Sequence, residues 1–481
     1  MVRNFFKFSF VFLFVSCAVG PDFEPPKTEV SKEWQGNNNS DDKLVSRGGE
    51  IDLKWWNSFN DPLLVELIEQ AASENLDIKK ALLHIKESRN IKELVVSDLF
   101  PAVNITANYK RDRQSENNDF SFDNSFSGRD FYETGFDATW ELDIFGKIRR
   151  DVEASKAELE GSADAARNVY LMTFAEVAKN YLELRTLQKE KNIIQGNIDL
   201  QQKSFELIEK KFNLGVGSKL DVLRQQALLD STKSRLPQID SGISMRVHAL
   251  SVLLGKEPNQ LATKLAQRQE IPALPQVVKL GIPSETLRRR PDIRQAEREI
   301  EAANARVGVA VGDLYPKFTL VGDYSLSARN LNDVFNGSSG NWSVGPKMVW
   351  QIVSANTIFK NIQIKEAVHE QTVVTYQKTV LTALQEVEDN LVKLENERIR
   401  QQSLNSSYVS NLDSVELAKK MYDEGNIDFL DLIQTQTSLL EAQDNLVKSE
   451  GEIVLSLLSL YKSLGGGWEV FNNEILPNKE G

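Results

Sequence analysis

The chain of 481 residues contains one cysteine, three histidines and 14 prolines. A single thiol closes no disulfide within the chain and supplies no thiolate zinc site, and His84, His248 and His369 are too far apart in sequence for an imidazole metal motif. Basic residues are in deficit, with 57 Lys and Arg against 69 Asp and Glu and a formal charge of −12. Phosphate binding needs clustered cations, so nucleic acid is excluded as a partner. Beyond the N-terminus there is no run of about 18 apolar residues, and no helix is expected to span a bilayer. No nucleophile, base and metal-ligand set stands together, so neither an enzyme nor a cofactor is expected.

What is present first is a short apolar leader. Arg3 and Lys7 precede an almost wholly apolar Phe8 to Val15, and small Ser16 precedes the sole cysteine, Cys17. This fits a bacterial signal peptide ending at a lipoprotein processing site, although Phe14 stands where such boxes usually carry Leu. Acyl chains on Cys17 would contribute roughly 0.8 kcal/mol per buried methylene, enough with more than one chain for a lasting anchor.

The sequence repeats itself. Phe212-Asn-Leu-Gly215-Val-Gly217-Ser-Lys-Leu220-Asp221 aligns with Tyr422-Asp-Glu-Gly425-Asn-Ile-Asp428-Phe-Leu430-Asp431, and Asp98-Leu-Phe-Pro101 with Asp313-Leu-Tyr-Pro316. Gly135 to Trp140 likewise matches Gly345 to Trp350. A tandem duplication of about 210 residues follows, each unit running helix, two strands, long helix, turn, helix.

Val103, Ile105, Ala107 and Tyr109 alternate with Asn104, Thr106 and Asn108, and Phe136, Ala138, Trp140, Leu142 and Ile144 alternate with Asp137, Thr139, Glu141 and Asp143. The second repeat does the same from Phe318 to Leu326 and from Trp342 to Ile352. Such half-apolar strands suit either a sandwich or a transmembrane barrel with a wet lumen. Tyr109, Trp140, Tyr324, Trp342 and Trp350 on the apolar faces, together with the export signal, point to the barrel, with these rings at the membrane interfaces. Four strands cannot enclose a channel, so copies must assemble.

After each hairpin the period changes. Tyr170, Phe174, Val177, Tyr181 and Leu184, and later Val380, Leu384, Val387, Leu391 and Leu394, recur in steps of three and four. A helix of about 65 residues would be roughly 100 Å long, so a fibrous coiled coil is the competing reading on periodicity alone. Pro237 falls inside the first returning helix and predicts a kink. Glu141 and Asp143 are expected on a solvated polar face.

The start Cys17-Ala-Val-Gly-Pro-Asp-Phe-Glu-Pro-Pro26, the strand end Trp140-Glu-Leu-Asp-Ile-Phe-Gly146, the run Arg290-Pro-Asp-Ile-Arg-Gln-Ala-Glu-Arg298 and the terminal Leu460-Tyr-Lys-Ser-Leu-Gly-Gly-Gly-Trp468 resemble the TolC-type outer-membrane factor family. Within it they are most similar to the lipoprotein branch serving resistance-nodulation-division drug pumps. The resemblance implies an α+β membrane protein: a homotrimer with a twelve-stranded β-barrel, four strands per chain, in the outer membrane and a long-helix tube in the periplasm. It implies passive efflux, partnered by a periplasmic adaptor and an inner-membrane pump; a protein-secretion duct of the same architecture is the alternative service.

On this pattern the chain divides into a signal peptide (1–16), a lipidated segment (17–59), a first repeat (60–254), an equatorial connection (255–290), a second repeat (291–464) and a tail (465–481). The first repeat is expected to hold strands 101–110 and 131–144, a long helix 146–212 and a returning helix 218–254. The second is expected to hold strands 316–327 and 341–353, a long helix 355–423 and a returning helix 428–464.

The resemblance also places Gly215, Gly217 and Gly425 in turns at the periplasmic tip and makes Asp428, Leu430 and Asp431 candidate gate residues. Leu430 fits an apolar ring and Asp431 a carboxylate ring able to favour cations. Asp428 fits such a ring or, equally, a helix N-cap. Relatives often carry a carboxylate one turn further on, where Gln434 stands here. Gly215 to Lys219 lacks phosphate-loop spacing and reads as a helix-to-helix turn.

Overall fold

The computed structural model describes residues 18–27, 30–31, 33–34, 45–46, 49, 51–113, 128–266, 270–275, 277–352 and 355–475. The leader, Cys17 and residues 114–127, part of the polar segment between the first two strands of the first repeat, lie outside the described residues. In chain order the elements are β1 (Val45–Ser46), α1 (Pro62–Glu74), α2 (Leu76–Ser97), β2 (Ala102–Asp112), β3 (Arg129–Leu142), α3 (Lys147–Asn213), α4 (Lys219–Leu253), α5 (Ala262–Leu265), β4 (Val278–Lys279), α6 (Pro283–Arg289), α7 (Pro291–Gly312), β5 (Lys317–Ala328), β6 (Gly340–Val349), α8 (Ala355–Asp423), α9 (Phe429–Ser463) and α10 (Asn472–Ile475).

Two halves of like construction emerge. α2 and α7 have 22 residues each, α4 and α9 have 35 each, and α3 and α8 have 67 and 69. The chain separates into two compact units, and these are not the repeats: the first comprises Met1–Pro26, Lys86–Gly161 and Ala296–Tyr376, the second Lys27–Ile85, Ser162–Gln295 and Gln377–Gly481. Each unit takes segments from both repeats, because strands pair with strands and helices with helices across the duplication. No helix among the described residues is long and apolar enough to cross a membrane.

The first unit contains one antiparallel sheet in the order β2-β3-β5-β6. Its register carries Ile105, Phe136, Tyr324 and Trp342 in one row and Val103, Ala138, Gly322 and Val344 in the next, so the apolar face continues over all four strands. The opposite face carries the row Asn104, Asp137, Asp323 and Ser343. Asn104 Nδ2 donates to Asp137 at 3.0 Å, and the Ser343 hydroxyl donates to Asp323. Strand ends differ from expectation for local reasons. β3 stops at Leu142 because Asp143 turns inward and accepts from the N–H groups of Ile148 and Arg149, both at 3.0 Å, satisfying donors of the first turn of α3. Asp143 is therefore a helix cap, not the solvated face residue expected. β6 stops at Val349, leaving Trp350 outside the ladder. α7 joins α3 through Arg306 and Glu158 at 2.7 Å and packs Ala310 on Ile358 and Ile362 of α8.

In the second unit, β1 and β4 form a short parallel pair. A 3₁₀ turn, Trp55–Phe59, buries three aromatic rings. Trp55 stacks on Tyr461 of α9 at 5.9 Å and Trp56 meets Phe174 of α3 edge-on at 5.5 Å. The C-terminal tail returns to the same cluster, with Phe471 stacked on Tyr170 at 5.7 Å. Asp61 caps α1 by accepting from Leu63 N–H at 2.9 Å and also accepts from the Tyr181 hydroxyl at 2.5 Å. Ile194 and Ile198 of α3 pack on Leu229 and Ile239 of α4. α4 runs as one helix through Pro237.

Candidate functional site

Four helix ends converge in the second unit. Ile208 of α3, Val222 of α4, Ala418 of α8, and Phe429 and Leu432 of α9 form one buried cluster, with Phe212, Tyr422 and Ile427 packed against it. Burying the ends of both helical hairpins together fixes where their turns lie.

The two turns are built alike. Gly215 N–H donates to Phe212 C=O at 2.9 Å and Val216 N–H to Lys211 C=O at 3.0 Å; Gly425 and Asn426 repeat this to Tyr422 at 3.0 Å and Met421 at 2.8 Å. These are Schellman closures, which require a left-handed residue just past the helix. Gly215 and Gly425 both have φ of 77°. Gly217 is glycine for another reason: a Cβ there would lie 2.9 Å from Phe212 N. Its repeat partner Ile427 carries a side chain that packs on the buried cluster.

The hairpins differ in their return. Ser218 caps α4, its hydroxyl accepting from Leu220 N–H at 3.1 Å. Asp428 stands at the same place before α9 with extended backbone, yet its side chain makes no capping hydrogen bond. Of its two candidate roles, the cap is thus unused. Leu430 is 49% exposed, and Asp428, Asp431 and Gln434 are exposed too. In the first repeat, Asp221 faces Arg224 at 3.9 Å. Gln434 replaces that arginine in the second, so Asp431 has no cation one turn along its own helix. Nearby cations lie on rings instead: Lys211 Nζ is 4.7 Å from the Tyr422 ring centre and Lys219 Nζ is 5.4 Å from that of Phe212. Burial pushes the Tyr422 hydroxyl pKa up, aided by the Asp221 and Asp423 carboxylates.

An ionic cluster farther up the helices was not evident as a unit in the sequence. Arg235 of α4 meets Glu190 of α3 at 3.2 Å and Asp444 of α9 at 2.5 Å, and Lys448 reaches Asp444 at 2.6 Å. Burial, then the adjacent Asp444 carboxylate, raises the pKa of Glu190. Burial acts on Asp444 in the same sense, but hydrogen bonds with Lys448, Glu190 and Arg235 outweigh it and hold that carboxyl down. In the sequence, Asp444 stands out as a polar residue at the three-four spacing of apolar Leu440 and Val447.

The candidate residues therefore divide between the units. Gly215, Gly217, Gly425, Asp428, Leu430 and Asp431 border the cluster at the four helix ends, whereas Tyr109, Trp140, Tyr324, Trp342 and Trp350 lie on or beside the apolar face of the sheet. All five aromatic rings are exposed. Trp140 and Tyr132, the partner of Tyr109, are about 26 Å apart along β3 at roughly 3.3 Å per residue; the latter two rings are 4.9 Å apart.

Comparison with known proteins places this architecture. The outer membrane efflux protein family matches residues 67–256 and again 282–466, one match in each repeat. Nodulation protein T of Rhizobium leguminosarum bv. trifolii is 27% identical, over 95% of this chain and 96% of that protein. The probable efflux pump outer membrane protein TtgC of Pseudomonas putida is 28% identical, over 95% and 94%. The solved outer-membrane channel OprN superposes with a TM-score of 0.88 at 31% identity, covering 94% of this chain and 100% of that one. With both repeats matched and the order of elements shared, the chain belongs to the outer membrane efflux protein family.

Proposed function

We propose that the chain is the passive exit duct of a tripartite efflux pump that exports small molecules such as drugs. In this reading three copies assemble in the outer membrane, anchored by lipid at Cys17. A periplasmic adaptor couples them to an inner-membrane pump of the resistance-nodulation-division type, which supplies the energy.

The observation that carries this reading is the sheet. Its apolar face is continuous over four strands while the other face is polar, the alternation needed by a barrel with lipid outside and water inside. β2 and β6 are its outer strands, and such edges close without exposed main chain when several copies pair edge to edge. Strands of such barrels tilt by about 40°, so the separation of about 26 Å along β3 rises roughly 20 Å and fits within an apolar band about 25 Å tall. At the tip, Leu430 and Asp431 project from the start of α9, and threefold repetition would make an apolar and an acidic ring there.

Purified protein reconstituted in a planar bilayer provides the test. Discrete conductance is expected, rising in Leu430→Ala and Asp431→Ala. Absence of discrete conductance in all three proteins would sink the channel reading.

A further inference from the structure

The residues just after Cys17 are held by side chains and main chain from three separate elements. Arg150, in the first turn of α3, is 4% exposed, and its guanidinium faces the main chain of the N-terminal segment. Its Nε donates to Val19 C=O at 2.9 Å, and its Nη2 to Gly20 C=O at 3.4 Å and to the Asp22 carboxylate at 2.6 Å. Nη1 is oriented by Glu153 at 2.7 Å. Asn304 of α7 donates to Pro21 C=O at 2.9 Å, and Val19 N–H donates to Phe145 C=O at 3.0 Å. Main-chain groups of three successive residues are thus gripped from α3, α7 and the strand-to-helix turn.

The seat also has a shape. Gly20 has φ of 92°, and a Cβ on it would lie 2.4 Å from Gly308 Cα. A Cβ on Gly308 would lie 2.9 Å from the Arg150 side chain and 3.0 Å from Val19 C=O. At the upstream end, Ala18 rests on Gly146, where a Cβ would come within 2.8 Å of the Ala18 Cα. Gly146 is the left-handed turn between β3 and α3. Only glycine at these points lets the two backbones approach so closely.

We propose that Arg150 is the positioning residue for the N-terminal anchor, gripping residues 19–22 so that the modified end of the chain leaves the protein at the foot of the sheet. This rests on the reading of Cys17 as the lipidated residue. Successive Cα atoms are about 3.8 Å apart, so a group carried by residue 17 departs within one peptide of the Gly146 turn. The grip thereby sets the level at which acyl chains leave relative to the strands. Without it, the anchor would hang on an extended tether and its level would be free.

Full-length protein in detergent micelles tests this by hydrogen exchange, alongside incorporation of labelled palmitate in cells. Arg150→Gln, and independently Gly308→Ala, are expected to speed exchange at Val19 at least tenfold. Protection of β2, β3 and β5 and the palmitate label should stay at wild-type levels, and Arg150→Lys should recover part of the protection. Unchanged exchange at Val19 in both variants would overturn the proposal. So would a parallel loss of protection throughout the sheet, since the grip would then be part of the fold rather than a positioning device. Absence of label from wild type, with Val19 still protected, would instead retract the lipid reading and leave the docking intact.

Discussion

Trp140 Nε1 donates to the main-chain carbonyl of Leu99 at 2.9 Å, tying β3 to the chain just beyond the C-terminal end of α2. The duplication reproduces the bond between Trp350 and Leu314 at 3.1 Å. Each indole satisfies a carbonyl left over past a helix end while its ring stays on the apolar side of the sheet.

Trp140→Phe keeps the aromatic ring and removes the donor. A loss of about 0.5–1 kcal/mol is expected for each of Trp140→Phe and Trp350→Phe, a little below a fully buried hydrogen bond because both rings are exposed. Urea unfolding midpoints of the folded protein in micelles measure it, and the two losses should add, since the sites do not share partners.

Gly215→Ala and Gly425→Ala force a side chain into left-handed backbone at φ of 77°. Each is expected to cost about 1–2 kcal/mol. Hydrogen exchange should show the cost confined to amides of the turns and the adjoining helix ends; equal effects throughout α3 and α8 would contradict this.

Asp431→Asn should lower the preference for cations over anions across a salt gradient, with the shift read as a reversal potential. Asp221→Asn should change it less, because Asp221 already faces Arg224 at 3.9 Å. The difference isolates a carboxylate exposed at the tip from one paired within its own helix.

Gly451 in α9 touches α3 so closely that a Cβ would lie 2.7 Å from the Thr186 side chain. Gly451→Ala should therefore destabilise by about 1–3 kcal/mol through overpacking. Adding Thr186→Ala removes the two atoms it strikes, and the double variant should recover most of the loss in the same unfolding assay.

Arg235→Gln leaves Glu190 and Asp444 facing each other without their shared cation. A loss of about 1–2 kcal/mol at neutral pH is expected, reduced from a fully buried pair because Arg235 is partly exposed. The pH dependence has a definite sign. Glu190 has a raised folded pKa, so its contribution is present below the unfolded value and lost as pH rises through the folded one. Asp444 has a depressed pKa and acts oppositely, its contribution being lost as pH falls through the folded value. Without the arginine both carboxyls hold protons more tightly, so the variant should approach wild-type stability as pH falls from about 7 toward the ordinary carboxylate range near 4. A deficit that grows on acidification would refute the assignment.

By itself the sequence determined the elements and their repetition. Strict alternation at Val103 to Tyr109 places one row of side chains on one face, and steps of three and four over Tyr170 to Leu184 place a stripe on a helix, because both periods are properties of the local backbone. Gly215 and Gly425 were legible for the same reason, since a Schellman closure is completed within a few residues. The tertiary structure decided what polar side chains do at the ends of elements, and every pairing whose partner lies far along the chain. Asp143 shared the parity of a polar strand face, but the competing demand of unpaired N–H groups at the start of α3 turned it inward. Asp428 had the composition of a cap and is not used as one. Arg235 meets Glu190 and Asp444 only because α4 is held against both α3 and α9, and Arg150 meets Val19 only because the strand-to-helix turn brings the end of β3 to the N-terminal segment. Local periodicity carries no information about such pairings; they are selected by packing and by the need to satisfy buried charge.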